Sequence, residues 1–376
     1  MTELLHRADD AYPALSAEIE LLATPERILD TLRRVGDVAA PSQTTSHTRG
    51  PVVSGLLADR GVLSAATYDR DFRGTGTDLV RSGDGGARLV AHLDEISYVL
   101  AGPADDGHWP LHAYCYHLAD GPRGARVVRW CGEGYRIVSE GELLTAGGDL
   151  VYRPGDGARP EPGDRVVLHT PTRRDPDSTR VTGAIDNAAG VAAVLVACEI
   201  LARCGVPFTA VLTDEEEGPS GCASTTINRG AMRVFPHLPA APVTVVVDTQ
   251  GLAADELRAA DGHRQGWAAC LNEYSSQTRG AVTPPHLYAP LRHLACELTS
   301  AGIPVRDNRG GYTPRSDDAA AQMFTRDVCL LGYPGVNRHF DHGMPAANLE
   351  DLRALAGALA YTAAVAAVGG LWTGPR

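Results

Sequence analysis

Residues 185–218, IDNAAGVAAVLVACEILARCGVPFTAVLTDEEEG, combine a long apolar helix, a buried strand and an acidic run. The helical pattern begins near 188 and ends at Gly205, a residue suited to the left-handed position that closes a helix. The apolar run 207–213 predicts a buried strand, and it leads directly into DEEE at 214–217. A buried helix joined to a buried strand by a short turn is typical of α/β proteins with a mostly parallel sheet.

The same alternation continues on both sides of this segment. Before it, we predict a helix over 25–38, with Thr24 as the N-cap, and a strand over 89–91 that ends at His92. After it, we predict strands at 242–248 and 327–335 and a helix at 284–302. The sequence therefore predicts an α/β fold with a mixed, mostly parallel sheet covered by helices.

Residues 98–174 have a different pattern. Short β-type runs, such as ARVVRW at 125–130 and DLVYRP at 149–154, are separated by clusters of Gly, Pro and Asp. We interpret this region as a small β-rich domain inserted into a main domain formed by 1–97 and 175–376. We expect it to serve oligomerisation or substrate access.

Composition excludes several functional classes. The chain has 376 residues and a formal net charge of −12, with no basic stripe for nucleic acid. Its start lacks an apolar signal core, and its eight cysteines form no Cys-x-x-Cys pair, so we expect a cytoplasmic protein.

The uncharged run 354–372 is long enough to cross a bilayer but consists mostly of Ala and Gly. We expect a buried helix there, and no membrane partner.

Ionisable residues lie where predicted strands end. His92, the Glu215–Glu216 pair and Asp248 each follow a strand, and Asp186 begins the apolar helix. In open α/β sheets this edge binds ligands. Together with His342, in the loop after the strand at 327–335, His92 and three of these carboxylates form a ligand set that suits zinc, cobalt or manganese. Two alternatives stay open at this point: His92 as a strand-end histidine bonded to the backbone, and Asp186 as a helix N-cap.

Five motifs resemble one known family in order along the chain: AHLDEI at 91–96, AIDNAAG at 184–190, DEEEGPSG at 214–221, VVVDTQG at 245–251 and HFDHGMPAANLEDL at 339–352. The family is that of the glutamyl-aminopeptidase-like and TET-type metallopeptidases, within the clan of dinuclear zinc peptidases. The resemblance implies a phosphorylase/hydrolase-like core with an inserted β domain. It also implies two divalent metal ions per chain, expected to be Zn²⁺, with Co²⁺ or Mn²⁺ as alternatives.

By this resemblance, His92 and Asp248 are ligands of the first ion and Asp186 bridges both ions. Asp94 is expected to orient His92 from behind. The peptide bond after the bridging aspartate, between Asp186 and Asn187, is commonly cis in this clan.

The second ion is expected at Glu216 and His342, with Glu215 as the general base. The register of the acidic run is set by matching Gly218 to a glycine of the family. His339 lies in the same loop as His342 and is the alternative last ligand, because the spacing before His342 is one residue longer than the family pattern.

The activity implied is removal of an N-terminal residue from a peptide, with a metal-bridging hydroxide as nucleophile. Ala188 and Arg315 depart from the family pattern, and they motivate an alternative: a specialised amide hydrolase or deacylase acting on one small biosynthetic metabolite. A metal-free scaffold with the same fold is the second alternative. The expected partners are a peptide or small amide substrate and further copies of the chain in a homo-oligomer.

Overall fold

Helices and strands alternate through the residues that the computed structural model describes, namely 3–103, 107–115, 122–146, 149–155, 157, 159–219, 228–275, 280–307, 316–340 and 343–371. The α-helices are α1 Glu3–Ala11, α2 Leu15–Leu22, α3 Pro25–Gly36, α4 Arg49–Asp59, α5 Ile185–Cys204, α6 Arg229–Val234, α7 Ala254–Ala259, α8 Pro285–Ser300, α9 Asp318–Ala321 and α10 Leu349–Ala367.

The strands fall into three groups. The first group forms the main sheet: β1 Thr67–Asp69, β2 Asp78–Ser82, β3 Ala87–His92, β12 Phe208–Thr213, β13 Thr244–Val246, β14 Thr249–Gln250, β15 Ala269–Asn272, β16 Val305–Asp307 and β17 Val328–Pro334. The second forms a barrel: β4 Ser97–Leu100, β5 Trp109–Ala113, β6 Arg123–Trp130, β7 Tyr135–Ala146, β8 Asp149–Pro154 and β9 Arg165–Leu168. The third is a small sheet: β10 Arg173–Arg174, β11 Arg180–Thr182 and β18 Ala346–Asn348.

The main sheet has a parallel centre with antiparallel edges. Its order is β1-β2-β12-β3-β13-β17-β15-β16, with β14 paired to the end of β17. Strands β12, β3, β13 and β17 are parallel neighbours, whereas β2 runs antiparallel to β12 and β15 runs antiparallel to β17. Their apolar runs are buried because helices cover both faces. The predicted fold class, a mixed and mostly parallel sheet covered by helices, is confirmed.

Helix α5 forms the centre of the larger core. It packs against α3, α10 and β3, and nearly every one of its residues is buried. By length and composition it is the one described helix that could cross a membrane, but its apolar window lies completely inside the protein, as in the core helix of a globular domain. Its apolar surface serves the protein's own packing.

Local chemistry sets the helix ends much as the sequence predicts. The Thr24 hydroxyl accepts a hydrogen bond from the Arg27 amide at 3.2 Å, and Pro25 opens α3. Gly205 closes α5 in the left-handed conformation with φ of 69°. An N-cap hydrogen bond such as that of Thr24 contributes about 1 kcal/mol to helix stability.

A closed six-stranded barrel interrupts the main domain between β3 and α5. Its strands follow the order β4-β5-β8-β7-β6-β9 and lie within 97–168, inside or next to the segment expected to form the insertion. Its own core includes Tyr98, Val127, Tyr152 and Val166. The chain therefore leaves the main sheet just after His92 and returns through β10 and β11 just before Asp186.

Candidate metal centre

Parallel register brings the predicted residues to one edge of the main sheet. The last residue of β3, His92, lies opposite Thr213 at the end of β12, and Val246 of β13 pairs with Val90. Two residues beyond Val246, Asp248 therefore reaches the same edge as His92. A close backbone approach on the other side depends on Gly332 of β17, where an added Cβ would lie 2.0 Å from the Asp248 carbonyl oxygen.

His92, Asp186 and Asp248 form the tightest group of candidate ligands. The His92 Nε2 atom lies 3.3 Å from Asp186 Oδ1, 3.9 Å from Asp248 Oδ1 and 3.8 Å from Glu216 Oε2. All three residues of the group are buried, with exposed fractions of 1%, 6% and 7% respectively. They come from three distant parts of the chain, and their donor atoms are close enough to surround one metal ion.

Several donor atoms at this edge have no hydrogen-bond partner among the described residues. They are the buried atoms His92 Nε2, both carboxylate oxygens of Asp186 and Glu217 Oε1. A buried polar atom left in this state costs about 1–3 kcal/mol. Divalent cations at this edge would satisfy these atoms, so the donor set fits the metal ions that the sequence motifs imply.

Asp94 holds the opposite side of the His92 ring. His92 Nδ1 lies 3.1 Å from the Asp94 carbonyl oxygen and 3.4 Å from Asp94 Oδ1. The same carboxylate accepts hydrogen bonds from Ser42 Oγ at 2.7 Å and from the amides of Glu216 at 3.2 Å and Glu217 at 3.1 Å. One ring nitrogen of His92, Nδ1, is therefore close to a backbone carbonyl, as the first alternative expects. The other, Nε2, faces the carboxylates.

Asp186 does not cap helix α5 through its side chain, so that alternative is wrong. Its φ and ψ of −83° and 105° would suit an N-cap, but neither carboxylate oxygen accepts a hydrogen bond from a described residue. The Asp186–Asn187 peptide bond is cis, as the family resemblance implies. The Asn187 side chain donates to the Val247 carbonyl oxygen at 2.8 Å and accepts from the Tyr333 hydroxyl at 3.1 Å. This network aims the Asp186 carboxylate at His92.

The acidic run enters the centre one residue later than the sequence register predicts. Glu215 has a left-handed φ of 60°, and its carboxylate forms an ion pair with Arg233. Glu216 and Glu217 instead face the histidines: Glu216 lies near His92, and Glu217 Oε2 lies 3.4 Å from His339 Nε2. The sequence did not predict Glu217, because aligning Gly218 with the family glycine gives no information about the backbone turn at Glu215.

His339, in the last loop, lies in this centre. Its Nε2 is 3.8 Å from Asp186 Oδ2, and its side chain is buried. His342 and Arg315 lie outside the described residues. The neighbouring Arg338 also reaches the centre, with Nη1 3.6 Å from Asp186 Oδ2 and 3.1 Å from His339 Nε2.

Cys115 was not anticipated from the sequence. It follows β5 of the barrel, and its Sγ lies 3.7 Å from His339 Nδ1. The sequence around Cys115 does not predict that it lies near the metal centre, because only the folding of the barrel brings this residue to the edge of the main sheet.

Burial and mutual charge perturb the protonation of the whole cluster. Burial alone would lower the pKa of His92, but the surrounding carboxylates, Glu216 foremost, raise it well above the usual value. Burial would raise the pKa of Asp186, yet His92 and Arg338 hold it below the usual range. Burial raises the pKa of Glu216 well above the usual value, with His92 opposing and the Glu217 charge adding to the rise. Strong perturbation of several adjacent groups is typical of a functional site.

Solved aminopeptidase structures have a similar fold. A TET aminopeptidase from a marine sediment archaeon of the Thaumarchaeota superposes with a TM-score of 0.70 at 14% identity, over 92% of this chain and 99% of that chain. The Pyrococcus horikoshii TET1 peptidase gives 0.67 at 17% identity, over 89% and 99% of the two chains. Aminopeptidase APDkam598 from Desulfurococcus kamchatkensis gives 0.67 at 17% identity, over 90% and 95%.

No protein-family model matches the sequence, and no curated protein matches it. At the identities above, the likeness establishes a shared fold. That fold is the one implied by the motifs that the sequence shares with TET-type metallopeptidases.

Proposed function

We propose that this chain is a two-metal hydrolase that removes N-terminal residues from peptides. The observation that supports it best is the buried convergence of His92, Asp186, Asp248 and Glu217 with unpartnered donor atoms at the ligand-binding edge of the sheet. A structural cluster would be expected to satisfy its buried donors with hydrogen bonds, whereas a metal centre keeps them for ions.

The donor set divides into two sites that share one carboxylate. His92 and Asp248 would hold one ion, Glu217 and His339 the other, and Asp186 would bridge them. A carboxylate that bridges two ions about 3.5–4 Å apart is a common device of two-metal hydrolases. Imidazole and carboxylate donors together favour Zn²⁺, Co²⁺ or Mn²⁺.

Glu216 takes the role of general base in this proposal, in place of Glu215. Bound ions would acidify a water and polarise the scissile carbonyl. Glu216 is held by its amide at Asp94 and lies outside the group of His92, Asp186 and Asp248; its carboxylate is within 4.8 Å of donor atoms of His92 and Glu217, between the two proposed sites. A carboxylate beside the bound water could accept a proton from it and return the proton to the leaving amine.

Arg338 supports a second candidate function. Its guanidinium lies at the edge of an acidic centre, 3.6 Å from Asp186, where it is suited to pair with a carboxylate on a substrate. A hydrolase specialised for one small amide that carries a carboxylate would use such a contact. A general aminopeptidase would not require it.

We also propose that the chain assembles into a homo-oligomer. The Pyrococcus horikoshii TET1 peptidase, which shares the fold, is described as assembling into a tetrahedron or a large octahedral shell. The barrel borders the candidate centre through Cys115, so contacts made by the barrel would also shape access to the substrate.

Metal analysis combined with a substrate panel tests the function. Purified protein reconstituted with Zn²⁺, Co²⁺ or Mn²⁺ should hold about two ions per chain and cleave aminoacyl anilides with a free amine, but not their N-acetylated forms. Metal-loaded protein that cleaves only amides bearing a carboxylate would favour the specialised hydrolase. Protein that binds no divalent ion would contradict both functions.

A further inference from the structure

Cys115 lies beside the second of the two proposed metal sites. Its Sγ atom, a carboxylate oxygen of Glu217 and a ring nitrogen of His339 all lie within 4.8 Å of one another. Cys115 is half-buried, and the other two residues are buried. Three donor atoms this close, contributed by the barrel, the acidic run and the last loop, can surround a single ion.

The backbone next to Cys115 is held close to the acidic run. The Tyr114 amide donates to the Ser97 carbonyl oxygen at 2.9 Å, which fixes this segment to β4. Gly218 has a φ of 149°, and an added Cβ there would lie 2.7 Å from the Tyr114 carbonyl oxygen. The glycine therefore permits the barrel to approach directly beside Glu217.

An independent observation indicates a cation at this place. Glu217 Oε1 is buried, with an exposed fraction of 3% for the residue, and accepts no hydrogen bond from the described residues. The other oxygen, Oε2, lies near His339. A cation between Glu217, His339 and the Cys115 thiol would compensate the burial of this oxygen.

The two sites then differ in chemical softness. His92, Asp186 and Asp248 offer only nitrogen and oxygen donors, whereas the site at Glu217 and His339 has a sulfur atom within reach. Thiolate donors favour zinc, cobalt and cadmium over magnesium, calcium and manganese, and a thiol that contacts such an ion loses its proton.

We propose that Cys115 is a sulfur ligand of the ion held by Glu217 and His339, and that it makes this site selective for thiophilic divalent ions. The inference rests on the two-metal centre proposed above. It assigns to the inserted barrel a direct part in metal binding, in addition to any role in assembly.

Cobalt titration followed by ultraviolet absorption tests the inference. A cobalt–thiolate bond has a charge-transfer band that cobalt bound to oxygen and nitrogen lacks. Wild-type protein should develop this band during the addition of about two equivalents of Co²⁺, and Cys115→Ser should lose it. Cys131→Ser removes an exposed cysteine of the same barrel and should retain it. Mn²⁺ should compete less well than Cd²⁺ for the ion that produces the band.

Two results would overturn the inference while leaving the two-metal centre in place. One is wild-type protein that holds two Co²⁺ ions without the band, as expected if Cys115 only contacts the His339 ring. The other is a band that persists in Cys115→Ser, which would assign the sulfur to another cysteine. Failure of wild-type protein to bind Co²⁺ at all would instead refute the metal centre itself. Thermal melting of each variant shows that the protein remains folded.

Discussion

Substitution of Glu216 by Gln tests the shifted register of the acidic run. Gln has nearly the same shape and keeps the backbone amide that donates to Asp94 at 3.2 Å. The change removes only the charge and the ability to accept a proton. Because Glu216 is the base in our account and no metal ligand, the variant should retain both ions and lose turnover.

The expected loss is large. A positioned general base contributes about 10²–10⁴-fold to a rate, which corresponds to about 3–5 kcal/mol of activation free energy at 1.36 kcal/mol for each factor of ten. Glu215→Gln is the matched control, one residue away. It weakens the ion pair between the buried Glu215 carboxylate, 7% exposed, and Arg233, 39% exposed, so the cost in stability should be about 1–3 kcal/mol, while turnover should change by only a few-fold.

Steady-state hydrolysis of an aminoacyl anilide, with metal content measured on the same samples, separates the two variants. Our account predicts a Glu216→Gln enzyme with normal metal content and very low kcat, beside a Glu215→Gln enzyme close to wild type. A fully active Glu216→Gln enzyme would rule out Glu216 as the general base. Loss of turnover in Glu215→Gln, with both ions bound, would assign that role to Glu215 instead.

Three further predictions concern the last ligand, backbone packing and pH. His339→Ala should lower the metal content to about one ion per chain, whereas His342→Ala should leave about two. Gly332→Ala should destabilise the fold by about 1–3 kcal/mol, because the new methyl group forces β17 away from the end of β13. Gly55→Ala is the control: it lies in an exposed position of α4 with open space around it and should stabilise the fold by about 1 kcal/mol. Burial raises the pKa of Asp351 from 3.8 to about 8, so its contribution to stability is present at low pH and is lost as pH rises through about 8.

Each of these predictions has its own readout. Metal analysis decides between the two histidines, and loss of an ion only in His342→Ala would reverse the assignment. Thermal unfolding compares the glycine variants, and equal stability of both would contradict the packing argument. For Asp351→Asn, denaturant unfolding should show a gain over wild type above pH 8 that shrinks in acid; a gain independent of pH would contradict the assigned protonation.

Much of the fold is readable from the sequence because its signals are local. The apolar run of α5 ends at Gly205, and the Thr24–Pro25 pair begins α3, as helix-terminus chemistry predicts. The buried strands β3, β12 and β17 appear as continuous apolar runs, typical of a sheet covered on both faces. The closed barrel is less readable, since short strands give no signal for the order in which they pair.

The candidate site is only partly readable, for a related reason. His92 and Asp248 could be placed because each follows a buried strand, and parallel strands end at one edge. Which glutamates of the acidic run face the centre could not be predicted, because the left-handed turn at Glu215 changes the direction of the side chains that follow it. His339 and Cys115 reach the centre through a loop and through barrel closure, neither of which has a periodic pattern in the sequence.

Anomalous scattering from a zinc-loaded crystal tests the two-metal centre most directly. Our account predicts two zinc peaks on either side of the Asp186 carboxylate, one contacted by His92 and Asp248 and the other by Glu217 and His339. A single peak, a pair of peaks away from Asp186, or Glu215 in contact with zinc would contradict it.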